Sequence, residues 1–326
     1  MIEALNMKFF IKNLILAAVL ISPSVSAFER GINIHFKHYP RDSEFYIQLA
    51  KKYGFTSIRD DYPWQLLQKN GKDFLLSGNV NKVDYLFSQK HPNISSMLIL
   101  AYGNQKLTNF DYPRTEEDID NFVKYVSFTA ARCKGTVKYY EIWNEWLYGT
   151  GIPFKSTPPD FQVYLKLVKK SSEAIRKQDP NAIIVAGSIN PFKEKEREWM
   201  DNLIANGMLD YVDGISLHPY SYGNPDMSMR IPENNIKAID KYEDHLKGML
   251  GKSIPLYITE VGYTSYNGPN GVSDSQVYQY MQQYMDEAEK RDFIKGVWWY
   301  DLIDDGSNVK NREHRFGVLN QKLIVK

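Results

Sequence analysis

Two short apolar segments of this chain each run into a glutamate: Tyr139-Tyr140-Glu141-Ile142-Trp143-Asn144-Glu145 and Pro255-Leu256-Tyr257-Ile258-Thr259-Glu260. Both read as β-strands that finish on a carboxylate. Two facing carboxyl groups can open an acetal, because one protonates the leaving oxygen while the other attacks or stabilises the cationic carbon. If they lie about 5.5 Å apart, as a double displacement requires, their repulsion at an effective dielectric of about 20 is roughly 3 kcal/mol, or about two pKa units. One of the two is then expected to stay protonated near neutral pH.

For the acids to meet, the intervening chain must bring two strand ends to one rim. The glutamates are 115 positions apart, and a βα unit takes roughly 30 residues or more, so three units fit between them. Strand-like runs fall at 31–36, 56–59, 96–101, 137–143, 183–186, 214–218, 256–260 and 296–300. Amphipathic helical stretches lie between them at 43–53, 116–132, 161–177, 199–206, 236–250 and 277–290. Eight strands alternating with helices predict a single-domain (β/α)8 TIM barrel over 28–326, a fold for which about 250 residues is typical. In such a barrel both acids stand on the C-terminal rim. After the eighth strand the chain passes Asp304-Asp305-Gly306 and Phe316-Gly317-Val318-Leu319 to Lys326. That leaves little room for a full eighth helix, so either a truncated element or a partner chain is expected to cover the gap.

Composition removes several classes of function. The 326 residues carry a net charge of +1 and no basic stripe, so nucleic acid is not an expected partner. The six histidines are scattered without His-Glu-x-x-His spacing, which argues against a metal hydrolase. Neither a Gly-x-Ser-x-Gly elbow nor a Gly-x-Gly-x-x-Gly loop occurs, so no serine nucleophile, dinucleotide or other cofactor is expected. Near the N-terminus, Lys8 and Lys12 precede the apolar run 14–21, then Ser22-Pro23 and Val25-Ser26-Ala27. This pattern predicts a signal peptide over 1–27, cleaved after Ala27. The run is shorter than the ~20 residues that span a bilayer, so a secreted or periplasmic protein without stable membrane insertion is expected. Met7 is an alternative start. Cys133 is the sole cysteine, so export does not bring a disulfide framework.

With the strands placed, five tracts carry a resemblance. Ser57-Ile58-Arg59, Trp143-Asn144-Glu145, His218-Pro219-Tyr220, Thr259-Glu260 and Trp298-Trp299-Tyr300 fall on strands two, four, six, seven and eight. In that order the chain resembles the clan A glycoside hydrolases over nearly its whole mature length. The opening Gly31-Ile32-Asn33-Ile34-His35 and the tract from Tyr140 to Glu145 resemble family 39, particularly bacterial endoglycosidases that cut exopolysaccharides, with family 5 next. Family 5 enzymes commonly end strand three on a histidine, where this chain has Ala101-Tyr102-Gly103-Asn104. The resemblance implies a retaining β-glycosidase with Glu145 as acid/base, Glu260 as nucleophile and a polysaccharide or oligosaccharide as substrate.

Chemistry supports the same division of roles. Arg59 and Tyr220 are expected beside Glu260, where positive charge and hydrogen bonding favour an ionised nucleophile and leave the proton on Glu145. Arg59 has a structural alternative, an ion pair with Glu141 or Asp60. Asn144 suits the sugar 2-hydroxyl, and His218 either orients its neighbours or binds a sugar hydroxyl. Trp298 and Trp299 face opposite ways in one strand, and Trp299 is expected to form the sugar-stacking floor. Trp64, Tyr102 and Trp146 follow strand ends as further subsite candidates. Two other functions share these residues: transfer of the glycosyl group to a sugar hydroxyl, and carbohydrate binding without catalysis on a decayed barrel.

Overall fold

The structure, a computed structural model, describes residues 27–326 apart from Ser77 and Asn79. The expected signal peptide falls on residues 1–26 up to its cleavage point at Ala27, outside the described residues. Eight parallel strands close into a barrel in chain order: β1 (Glu29–Asn33), β2 (Ser57–Asp61), β3 (Ser95–Leu100), β4 (Tyr139–Ile142), β5 (Ile183–Ile189), β6 (Gly214–Leu217), β7 (Leu256–Val261) and β8 (Ile294–Trp299). The seam is the β1–β8 pair, with Gly31 opposite Trp298 and Ile32 opposite Trp299. The helices are α1 (Ser43–Lys52), α2 (Trp64–Leu67), α3 (Val80–Phe87), α4 (Glu116–Arg132), α5 (Phe161–Gln178), α6 (Glu194–Ala205), α7 (Pro232–Leu250) and α8 (Asp274–Glu289). The chain is the expected TIM barrel.

Helix starts follow their caps. The Thr115 hydroxyl accepts from the Asp118 amide while the Asp118 carboxylate accepts from the Thr115 amide, so α4 begins where its capping box puts it. Ser273 and Gln276 repeat the arrangement at α8, which therefore starts at Asp274, three residues before the apolar pattern suggests.

Strand alternation divides the interior into two layers. Outward residues such as Ile32, Ile58, Leu98, Ile184, Ile258 and Trp299 join the large core between strands and helices. Inward residues Met97, Tyr139, Val185, Tyr257 and Trp298 form a separate apolar floor inside the barrel. The Trp298 indole fits because β1 carries a glycine there: a Cβ on Gly31 would lie 2.3 Å from the ring. Two residues further along β1, β2, β4 and β7 the inward positions are polar, as Asn33, Arg59, Glu141 and Thr259. The site stands on this second layer.

Among the described residues no α-helix follows β8. Residues 300–326 hold only a 3-10 turn, Arg312–Arg315, and two isolated bridges, Ile303 to Leu319 and Leu319 to Val325. Leu302, Val318 and Leu319 are buried and supply the apolar cover that a helix would otherwise give. Asp304 fixes the strap through Arg315 at 2.6 Å and Lys326 at 2.5 Å. The gap is thus covered by the chain's own truncated element. No helix among the described residues is long and apolar enough to cross a membrane.

Candidate active site

Glu145 and Glu260 reach the C-terminal rim by different routes. Glu260 lies within β7, with its side chain 14% exposed. By contrast β4 ends at Ile142, and the backbone is left-handed at Trp143 (φ 64) and Glu145 (φ 48). Such conformations cost about 1–3 kcal/mol each outside glycine. The Trp143 ring is held by stacking on Tyr112 and by edge contacts with Trp146 and Tyr102. The turn carries Glu145 over the mouth instead of continuing the strand, as the sequence pattern had suggested.

A carboxylate oxygen of Glu145, one of Glu260 and a ring nitrogen of His218 all lie within 4.8 Å of one another. Retaining glycosidases separate their carboxyl groups by about 5–5.5 Å and inverting ones by about 6.5–9.5 Å. An oxygen-to-oxygen approach within 4.8 Å places the pair on the retaining side of that division.

Arg59 organises the layer beneath. Its Nη1 donates to Glu260 Oε2 at 3.1 Å and to Asn33 Oδ1 at 2.6 Å, its Nη2 to Asn144 Oδ1 at 2.8 Å, and its Nε to Glu141 Oε2 at 2.7 Å. The two readings of Arg59 therefore both hold: it touches Glu260 and it pairs with Glu141. Burial alone would neutralise both members of the latter pair, but their mutual attraction outweighs it, raising Arg59 and lowering Glu141 from their ordinary values. Tyr220 donates to Glu260 Oε1 at 2.7 Å. Burial and then the charge of Glu260 raise that hydroxyl well above its usual range, so it stays a donor.

The proton for a leaving group can be located by counting donors. Thr259 Oγ1 lies 2.8 Å from Glu141 Oε1, and an ionised carboxylate only accepts, so the Thr259 hydrogen is committed there. His218 Nε2, 3.1 Å from Thr259 Oγ1, must then donate. Its Nδ1 faces Glu145 Oε1 at 3.1 Å, a contact that requires one shared proton. Burial opposes charge on His218, but Glu260 and Glu145 raise its pKa above the ordinary 6.5. Burial likewise favours protonated Glu145, yet the His218 hydrogen bond and charge, Thr150 and Arg59 together lower it. In the free protein the shared proton therefore rests mainly on His218. The expectation that Arg59 and Tyr220, by favouring an ionised Glu260, leave the proton on Glu145 did not include His218, which adds a second titratable group in contact with Glu145.

A pH profile follows from that pair. Above the raised His218 pKa the proton is gone, so kcat/KM on an unactivated glycoside falls on the alkaline side at a pH above 6.5. In His218→Gln the proton must sit on Glu145 by itself, and the alkaline limb moves toward acid. An unmoved limb in that variant would contradict the pairing.

The cleft has two compartments that share Glu145 and Thr150. One, about 200 Å³, is lined by Asn33, His35, Arg59, Tyr102, Glu260 and Tyr300 among others. The other, about 440 Å³, is lined by Tyr148, Phe192, His218, Tyr220 and Tyr222 among others. Tyr102 is thus a wall residue, and its hydroxyl accepts from Asn144 Nδ2 at 3.2 Å.

Trp299 is not in the cleft, contrary to expectation. It is fully buried between β8 and the helices, against Tyr263 and Tyr284. Alternation sends Trp298 into the floor and Trp299 outward, so the next inward residue, Tyr300, reaches the mouth. Trp64 and Trp146 are buried as well. Sequence reasoning passed over Glu141, Thr259 and Thr150 as parts of the site. Glu141 and Thr259 each sit two residues beyond a floor aromatic on the inward face, a signal available from period-two counting. Thr150, which donates to Glu145 Oε2 at 2.6 Å, lies in the loop after a 3-10 turn and has no such signal.

A closed (β/α)8 barrel with two carboxylates this close on its C-terminal rim has the arrangement that retaining glycoside hydrolysis requires. Residues 23–300 match the family described as Cellulase (glycosyl hydrolase family 5), and the chain belongs to that family. Family 5, second to family 39 in the sequence resemblance, therefore holds the chain despite the residues at 101–104. In fold the chain is similar to a family 39 glycoside hydrolase from the gut symbiont Bacteroides cellulosilyticus WH2, at 21% identity and a TM-score of 0.74, covering 93% of this chain and 62% of that one. The chain thus spans about three-fifths of that enzyme's length. It is also similar to xylanase 10B from Thermotoga petrophila RKU-1, at 15% identity and a TM-score of 0.65, covering 93% and 91% of the two chains. No curated protein matches the sequence.

Proposed function

We propose that this glycoside hydrolase cuts within β-linked polysaccharide chains outside the cell or in its envelope, as a secreted or periplasmic enzyme. The observation that carries the reading is the approach of Glu145 and Glu260 to within 4.8 Å, each with its own set of partners. Glu260 is the nucleophile. Arg59 and Tyr220 hold its two oxygens, so its attacking lone pair is oriented and its charge stays available until the glycosyl bond forms. Glu145 delivers the proton it shares with His218 to the leaving oxygen, then takes one back from the water that releases the sugar. Asn144, clamped between Arg59 and Tyr102, is aimed at the 2-hydroxyl of the sugar being attacked.

The internal mode rests on the two compartments meeting at Glu145. The sugar under attack occupies the one containing Glu260, with Tyr300 as its aromatic wall. The leaving portion occupies the larger one, whose Tyr148, Phe192, Tyr220 and Tyr222 offer stacking faces. A panel of bacterial exopolysaccharides and plant β-glycans tests this reading. The expected result is a rapid fall in viscosity and a ladder of oligosaccharides from at least one polymer; release of terminal monosaccharides alone would refute the internal mode.

A further inference from the structure

Outside the catalytic pair, folding gathers three ligand-type side chains whose sequence positions gave no sign of it. His35 follows β1 by two residues, and Asp301 and Asp305 follow β8. His35 Nε2 lies 3.8 Å from Asp301 Oδ2 and 4.0 Å from Asp305 Oδ2, and one donor atom from each residue falls within 4.8 Å of the other two. These distances are too long for hydrogen bonds. Asp301 is 1% exposed, yet neither of its carboxylate oxygens has a hydrogen-bond partner, and His35 Nε2 is likewise a buried atom without one. A buried carboxylate left this way is costly, and buried polar groups are otherwise almost always satisfied.

The catalytic triad of atoms makes the contrast clear. Glu145, His218 and Glu260 have a similar spacing, but Thr150, Thr259, Arg59 and Tyr220 already engage them. At His35, Asp301 and Asp305 the donor atoms converge on one another and on nothing else. An ion at the common centre of three atoms so spaced would lie about 2.5 Å from each, against zinc–ligand bonds of about 2.0–2.2 Å. Asp305, with its side chain 31% exposed, can supply the remaining adjustment.

We propose that His35 Nε2 and the carboxylates of Asp301 and Asp305 bind one divalent cation that ties the end of β1 to the strap after β8. Two carboxylates balance its charge. The imidazole favours a borderline metal, Zn2+ or Mn2+, over Ca2+ or Mg2+, which prefer oxygen ligands throughout. A route in exists, because Asp305 also lines a separate cavity of about 360 Å³ with His38 and Tyr39. The cation closes the seam where, among the described residues, no α-helix follows β8. It also steadies Tyr300, whose ring packs edge-on to His35 at 5.6 Å. The sequence argument against a metal hydrolase rested on scattered histidines, whereas this site needs only one.

The test is calorimetric titration of the full chain, stripped with EDTA, using Zn2+, Mn2+ and Ca2+ separately, together with thermal unfolding at saturation. The expected result is one equivalent of Zn2+ or Mn2+ bound more tightly than Ca2+, with a midpoint raised by at least about 2 °C. Binding should weaken at least tenfold in Asp305→Asn and in Asp301→Asn, and remain in Glu260→Gln. Asp305→Asn keeps the test valid if the buried Asp301 variant misfolds. Absence of saturable binding, a preference for Ca2+, or binding that survives Asp305→Asn but not Glu260→Gln would overturn the proposal.

Discussion

Glu260→Ala is expected to abolish hydrolysis of every substrate, by at least about 10⁴-fold in kcat, with the fold intact. No other described carboxylate can take its place. Glu141 is fully buried beneath the layer and tied to Arg59, Ser188 and Thr259, and Glu145 faces the leaving-group side. The truncation also leaves Arg59 with one fewer partner but not alone, since Glu141, Asn33 and Asn144 still hold it. Stability therefore changes little, and a thermal midpoint close to wild type separates lost chemistry from lost structure. A small anion such as azide, entering the space left by the side chain, should attack from the same face and give the inverted glycosyl azide. Residual activity within tenfold of wild type would remove Glu260 from the nucleophile's role.

Glu145→Ala is expected to produce a loss that depends on the leaving group. Removing a general acid costs about 10²–10⁴-fold where the departing oxygen needs a proton. Aryl glycosides with acidic phenols need none, so their first step should survive while release of the sugar becomes slow. Added azide, replacing the water that Glu145 would have activated, should then restore turnover and give a product of retained configuration. The two variants are thus distinguished by the stereochemistry of their azide products as well as by rate. Equal losses on activated and unactivated substrates in Glu145→Ala would contradict the assignment.

Much of this site was readable in the sequence because its parts sit at strand ends. Arg59, Asn144, Glu145, His218, Tyr220 and Glu260 lie at or just past the C-terminal ends of β2, β4, β6 and β7, and a closed barrel brings all such ends to one rim. The eight strands were legible for a related reason: β-branched and aromatic runs bounded by polar turns mark them. Depth was harder. Trp298, Trp299 and Tyr300 alternate correctly, but nothing local says that the barrel floor takes the first, the helix layer the second, and the mouth the third. That choice depends on Gly31 across the seam making room for an indole. Proton placement was not legible either, since it turns on Thr259 spending its hydrogen on Glu141. The short α2 and α3 between β2 and β3 went unnoticed because four- and eight-residue helices carry too few turns for a clear apolar period. His35, Asp301 and Asp305 come from opposite ends of the chain and meet only because β1 and β8 pair.

The spacing of Glu145 and Glu260 makes one direct claim: the sugar is displaced twice and leaves with the configuration it had. Proton NMR of the anomeric signals during the first minutes of hydrolysis reads this before mutarotation blurs it. The β-anomer should appear first and the α-anomer only later. An α-anomer formed at once would mean a single displacement by water, and a carboxylate separation wider than the one described here.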